Sequence, residues 1–169
     1  MFGGKIVILA IDPGSEQSAY VLYMHRLSSP LYQYGKVENA LLLEQLPQWG
    51  GAQPGVPLAI EMIASYGMPV GREVFETCVW IGRFIQAWPG PHEFVYRRDV
   101  KLHLCGSARA KDGNVRQALI DRWGGKAAAI GRKAAKGPLY GCSADVWAAL
   151  AVAVYRSDAG LRAADLRLA

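Results

Sequence analysis

A near-continuous apolar, β-branched run from Lys5 to Ile11 ends in Asp12, and Pro13-Gly14 follows at once. Such a run predicts a strand buried on both faces of a sheet, with Pro-Gly turning the chain back. Two further strands, Ser18–Met24 and Leu31–Val37, are separated by Ser28-Ser29-Pro30, so the chain opens with a three-strand meander. Leu41, Leu42, Leu43 and Leu46 mark a helix over Glu38–Trp49, which the glycines and proline of 50–55 should end. Val56–Glu61 is a short strand that again finishes in an acid. From Arg72 to Trp88 the apolar positions recur at helical spacing until Pro89 stops them. Then come a strand at Glu93–Tyr96, a short helix at Arg98–Leu104, and a loop over Gly106–Ala110. Asp112 is placed to N-cap a helix running to about Trp123. Residues 124–141 read as a flexible basic loop or a frayed short helix, and Ser143–Tyr155 as an Ala/Val/Leu helix with Ser143 as its cap.

The order βββ-α-β-α-β-α-α-α predicts an α/β domain built on a mixed five-stranded sheet flanked by helices. Three meander strands before the alternation suit a ribonuclease H-like arrangement better than a doubly wound sheet. Neither Gly-x-Gly-x-x-Gly nor Gly-Lys-Ser/Thr is present to cradle a nucleotide. With 169 residues, 51% of them apolar and 20% charged, the chain suits one globular domain, placed at residues 1–157 with a C-terminal tail at 158–169. No apolar stretch approaches the ~20 residues of a membrane span, and no basic segment with a cleavage site opens the chain, so a soluble cytoplasmic protein is expected. Cys78, Cys105 and Cys142 are widely spaced and odd in number, which predicts reduced thiols rather than a disulfide or zinc site.

Net charge is +5, but its distribution says more than its sum. Between Arg97 and Lys136 lie eleven Lys and Arg against three Asp, whereas the first half is close to neutral. An ordinary solvated face and a nucleic-acid surface both fit that segment.

A carboxylate at the end of a buried strand is costly unless it is paired or bound to a metal. Asp12 and Glu61 occupy two such ends, and adjacent strands would bring them to one carboxyl edge. A helix covering that edge would add Asp145 from its first turn. Three converging acids without interspersed arginines would repel one another, and oxygen-only ligands suit Mg²⁺ or Mn²⁺. Two such ions can serve phosphodiester cleavage, which points to a nuclease. Alternatives stand for each residue alone: Asp12 as a turn residue before Pro-Gly, and Asp145 as a partner of the helix dipole. His25, His92 and His103 form no ligand pair, and Trp80, Trp88, Trp123 and Trp147 fall on apolar helix faces.

"AIDPGS" with Asp12, "AIE" with Glu61, "RDVKLHLCGSARAKDGNV" and "SADVWAALAVA" with Asp145 resemble, in that order, the RuvC family of Holliday-junction resolvases, particularly its small phage-type members. The resemblance implies a ribonuclease H-like fold, a homodimer, and two Mg²⁺ or Mn²⁺ ions held by Asp12, Glu61 and Asp145 for nicking branched DNA such as a four-way junction. It also implies that Lys101 and Lys111 neutralise phosphate charge near the metals. Family members carry an Asp or His three residues before the last acid, where this chain has Cys142, a poor ligand for a hard cation. Asp112 is the acid that could fill that place instead. Tyr66, in the segment after Glu61, could stack on an unpaired base or cap the core. Arg72, Arg98, Arg109, Lys111 and Arg116 are the expected DNA contacts.

Three other readings remain open on the sequence: a junction-binding protein of the same fold with little or no nuclease activity, a nuclease acting on flaps, forks or RNA–DNA hybrids, and an actin-like ATPase. The last would need two such domains around its nucleotide, and the chain is long enough for one.

Overall fold

The computed structural model describes residues 8–25 and 29–165. The start of the first expected strand (5–7) and Ser28 of the expected turn lie outside the described residues. Strands β1 (Ile8–Asp12), β2 (Gln17–Tyr23) and β3 (Leu31–Glu38) form the antiparallel meander. After α1 (Asn39–Ala52), β4 (Leu58–Met62) pairs parallel to β1, and after α2 (Arg72–Ala87), β5 (His92–Tyr96) pairs parallel to β4. The sheet order is therefore β3-β2-β1-β4-β5, the mixed five-stranded sheet expected from the pattern. Helices α3 (Arg97–Cys105), α4 (Asp112–Arg122), α5 (Lys126–Ala129) and α6 (Ala144–Asp165) complete the chain, with a small ribbon of β6 (Gly131–Arg132) and β7 (Ala135–Lys136) before α6.

Alternation along β1 explains its double burial. Ile8 and Ala10 join Trp147, Leu150 and Val154 in the core beneath α6, while Leu9 and Ile11 meet Leu42 and Leu46 of α1 and Ile81 and Phe84 of α2 on the other face. By the same period of two, Asp12 leaves the strand on the α6 face. Ala59 belongs to the α6 core and Leu58 and Ile60 to the other, so Glu61 also turns toward α6. Pairing of Ile11 with Ile60 sets the two acids side by side, one residue further along.

Three expected elements differ from what is found. The first helix runs through Gly50 and Gly51, which were expected to end it, because Trp88 and Pro89 pack directly against Gly50 where no side chain intervenes. Residues 124–141 hold the short helix that was one of the two expectations, over Lys126–Ala129, and add a two-stranded ribbon that was not expected. Asp112 does not cap α4: Lys111 holds the N-cap position, its backbone N–H donates to Asn114 Oδ1 at 2.9 Å, and Asp112 is the first helical residue.

Helix α6 continues past Tyr155 to Asp165, and residues 158–165 prolong it without a break. Asp158 accepts hydrogen bonds from both terminal nitrogens of Arg122 at 2.9 and 2.6 Å and lies 2.8 Å from His103 Nε2, tying α6 to α3 and α4. Burial alone would raise the Asp158 carboxyl, but Arg122 and His103 outweigh it and hold it below the ordinary 3.8. A carboxylate with a depressed folded pKa stabilises fully above its unfolded value and loses that contribution as pH falls through the folded one. Asp158→Asn is therefore expected to cost about 1–3 kcal/mol near neutral pH. Urea unfolding should show the gap to wild type closing below pH 3.8.

Candidate active site

Asp12 and Glu61 form the shared wall of two concavities. The larger, an open groove of about 860 Å³, passes from these acids by Tyr66 and Met68 to Arg98 and Arg109. The smaller, about 210 Å³, gathers Asp12, Glu61, Asp112 and Asp145 around Arg97 and Lys101. The carboxylates of Asp12 and Glu61 are only 15% and 14% exposed, so water cannot screen them well.

Their protonation reflects that burial. The Asp12 carboxyl is pushed up to about 7, first by desolvation and then by the neighbouring charge of Glu61, with Arg97 pulling the other way. Glu61 is raised for the same first reason, and Arg97 again opposes the shift. Arg97 Nε donates to Glu61 Oε1 at 3.0 Å, while its terminal nitrogens stand 3.9 Å from Asp12 and 3.9 Å from Asp112. Burial works against the guanidinium's charge, but these three acids together hold it above its usual range.

The acids thus do have an interspersed arginine, contrary to the sequence expectation. Arg97 directly follows β5, whose Tyr96 pairs with Met62 of β4, so the sheet register itself delivers the guanidinium beside Glu61. A second cation reaches the site along a row of the sheet. Asp12 pairs with Ala19 and Ala19 with Lys36, which puts all three on the α6 face. Lys36 Nζ lies 2.8 Å from Asp145 Oδ2, and that bond is the chief cause raising the lysine's pKa. Asp145 therefore turns toward Lys36 as well as toward the hollow. Among the described residues, no three His, Cys, Asp or Glu side chains converge closely enough to hold a metal ion as they stand.

The remaining expected residues divide between the site and its surroundings. Lys101, largely buried, reaches Asp112 Oδ1 at 3.2 Å and lines both concavities, so Asp112 serves as an ion-pair partner rather than a cap. Tyr66 projects into the groove, exposed, with a left-handed backbone (φ 50°) that costs a non-glycine residue about 1 kcal/mol. Arg98 and Arg109 line the groove, and Arg116 lines the smaller hollow with its guanidinium over the Trp147 ring at 5.2 Å. Lys111 and Arg72 lie outside both concavities, Lys111 exposed at the start of α4 and Arg72 paired with Glu76 at 2.6 Å. Cys142 also stands apart, packed against the α6-side core with its carbonyl accepting from Trp147 Nε1 at 3.1 Å. Burial pushes its thiol up to about 11. It occupies neither concavity, so its poor affinity for hard cations does not bear on the acids themselves.

No family model and no curated protein sequence matches the chain. Solved structures do. Thermus thermophilus RuvC superposes with a TM-score of 0.65 at 15% identity, covering 90% of this chain and 96% of that one. This chain has a RuvC-like fold. T. thermophilus RuvC in complex with a Holliday junction substrate gives a TM-score of 0.63 at 16% identity, over 90% of this chain and 93% of the other. In this RuvC-like, ribonuclease H-like frame the carboxyl edge of β1 and β4 opens on the groove, and no helix among the described residues is long and apolar enough to cross a membrane.

Proposed function

We infer that the protein is a divalent-metal-dependent endonuclease that nicks branched DNA, with a four-way junction as its substrate. The observation that carries this reading is the pair of buried, mutually repelling carboxylates on adjacent parallel strands, at the floor of a groove lined by cations. Nothing in strand packing calls for two acids there, and their desolvation is a standing cost. An all-oxygen donor set of Asp12, Glu61 and Asp145, with Asp112 nearby, has the donor chemistry of the hard cations Mg²⁺ and Mn²⁺ and would hold them once its carboxylates turn from Arg97 and Lys36. Such cations would supply charge neutralisation at the scissile phosphate and a lowered water pKa.

The chain's own residues do the rest. Lys101 and Arg97 neutralise the phosphate placed over the acids. Arg98 and Arg109 hold the flanking backbone, and Tyr66 offers an exposed ring to a base unstacked at the crossover. An Asp145 oxygen released from Lys36 takes the proton of the attacking water. A second copy acting on the opposite strand would meet this one at α2, whose Phe75 and Val79 are each 63% exposed. In this reading residues 1–157 form the nuclease domain and 158–169 its tail, and the protein works in the cytoplasm, at the nucleoid.

A second reading, junction binding without cleavage, draws on the cations already seated on the acids: Arg97 on Glu61 and Lys36 on Asp145. Nicking assays on four-way, three-way, flap, linear and hybrid substrates, in Mg²⁺ and in Mn²⁺, separate the readings. The nuclease reading expects paired nicks in four-way junctions and little cutting of linear duplex. Junction binding without a nick in either metal sinks it, and cutting confined to hybrids reassigns the substrate.

A further inference from the structure

The most basic stretch of the chain is also one of its more carefully built. From Lys126 to Lys136 there are four cations and no acid, and Lys126, Arg132, Lys133 and Lys136 are all exposed. None of the four forms an ion pair with a described residue, whereas six other Lys and Arg do, namely Lys36, Lys101, Arg72, Arg97, Arg122 and Arg156.

A solvated charge run would need no scaffold, yet this one has one anchored in the core. The β6–β7 ribbon is clamped at its base by hydrogen bonds from the Gly137 N–H to the Ile130 carbonyl and from the Leu139 N–H to the Ala129 carbonyl, each 2.8 Å. Ala129 and Leu139 are buried in the α6-side core. Gly131, at φ 71°, and Gly137 sit where a Cβ would strike the facing backbone, so the base of the ribbon is closely packed.

The base of the ribbon is linked through β3 to Asp145. Tyr34 Oη donates to the Tyr140 carbonyl at 3.4 Å, and Lys136 Nζ lies 5.2 Å over the Tyr140 ring. Tyr34 shares a face of β3 with Lys36, two residues on, and Lys36 holds Asp145. The path from the hollow to the ribbon thus runs over a lysine and a half-exposed tyrosine, with no carboxylate between Asp145 and the ribbon tip in the intervening sequence.

Resting on the nuclease reading above, we propose that this ribbon is a second DNA contact, a clamp on the phosphate backbone of a duplex arm leaving the junction past Lys36. A row of cations with no carboxylate partner among the described residues, carried on an anchored ribbon, suits a regular polyanion, and phosphate contacts of this kind position a duplex without reading its sequence. The ribbon holds the arm and takes no part in the chemistry.

The test compares wild type with the combined Arg132→Ala, Lys133→Ala, Lys136→Ala variant and with a charge-keeping Arg132→Lys, Lys133→Arg, Lys136→Arg control. Binding to a four-way junction and to linear duplex is followed by fluorescence anisotropy across a salt series, in EDTA so that cleavage plays no part. The alanine variant should flatten the slope of log affinity against log salt by about two to three and weaken binding at least about tenfold near 0.1 M salt. Loss should be similar on junction and duplex, leaving the preference between them unchanged, and the control should bind as wild type does. An alanine variant that keeps the wild-type slope and affinity, while its circular dichroism matches wild type, overturns the clamp and leaves the nuclease reading standing. Wild type that binds no junction overturns both.

Discussion

Asp12→Asn should abolish nicking and, above neutral pH, make the protein without added metal more stable. The two effects share one cause. An ionised Asp12 is buried beside Glu61, and its carboxyl is pushed up to about 7 from an ordinary 3.8. A carboxyl whose folded pKa is raised takes up a proton on folding, so its ionisation removes stability as pH climbs from the unfolded value to the folded one. Near pH 8 that penalty is on the order of 4 kcal/mol, and the neutral amide escapes it. Melting in EDTA should therefore favour the variant by a margin that opens between pH 4 and pH 7 and is flat above. On cleavage the variant loses an oxygen donor and a charge at the reacting phosphate, and a fall of at least about 10²–10³ in rate is expected. An Asn variant that nicks undiminished removes Asp12 from the site. One that is inactive but no more stable than wild type in EDTA would show that Arg97 compensates the acids more completely than their burial allows.

Arg97→Ala should tighten the binding of Mg²⁺ and Mn²⁺. The guanidinium sits on Glu61 at 3.0 Å and within 3.9 Å of Asp12 and Asp112, so a divalent ion must compete with it for the same oxygens. Removing the competitor lowers the cost of metal entry, and calorimetric titration should register a gain of about tenfold, or 1.4 kcal/mol. The same variant in EDTA should lose about 1–2 kcal/mol of stability, because two buried acids are left facing each other; the half-exposed position of Arg97 keeps that figure modest. Lys101 still neutralises phosphate in the variant, so junction affinity should change little. Weaker metal binding in Arg97→Ala would mean that the arginine shapes the carboxylates for the ion instead of opposing it.

How much of this could be read in the chain depends on the range of the forces involved. The strands declared themselves through period-two burial, and β1, buried on both faces, ended at an acid whose cost was visible without coordinates. Glu61 repeated the signal on β4, and parallel pairing of the two strands was enough to bring the acids together. Arg97 was hidden among eleven basic residues because nothing local distinguishes it; only the register of β5 against β4 places it on Glu61. Lys36 was hidden for a similar reason, since the β2–β3 register includes an irregularity between Leu22 and Tyr23 that no pattern of side chains foretells. Asp112 satisfies the capping rule as an acid at a helix start, whether or not a lysine on the preceding helix claims its carboxylate. The ribbon's glycines and alanines looked like a loop for want of apolar periodicity, although Ala129 and Leu139 anchor it through just two buried side chains.

Strand β3 is an edge of the five-stranded sheet, with a strand neighbour on one side among the described residues. Such an edge is a template on which another chain can add a strand, and natural sheets guard it with charge and with local twisting. Here the guard near the end of the strand is Lys36, helped by the irregularity beside Tyr23. The lysine that restrains Asp145 thus also protects the protein against self-association, so a substitution that freed the acid would expose an aggregation-prone edge in the same step.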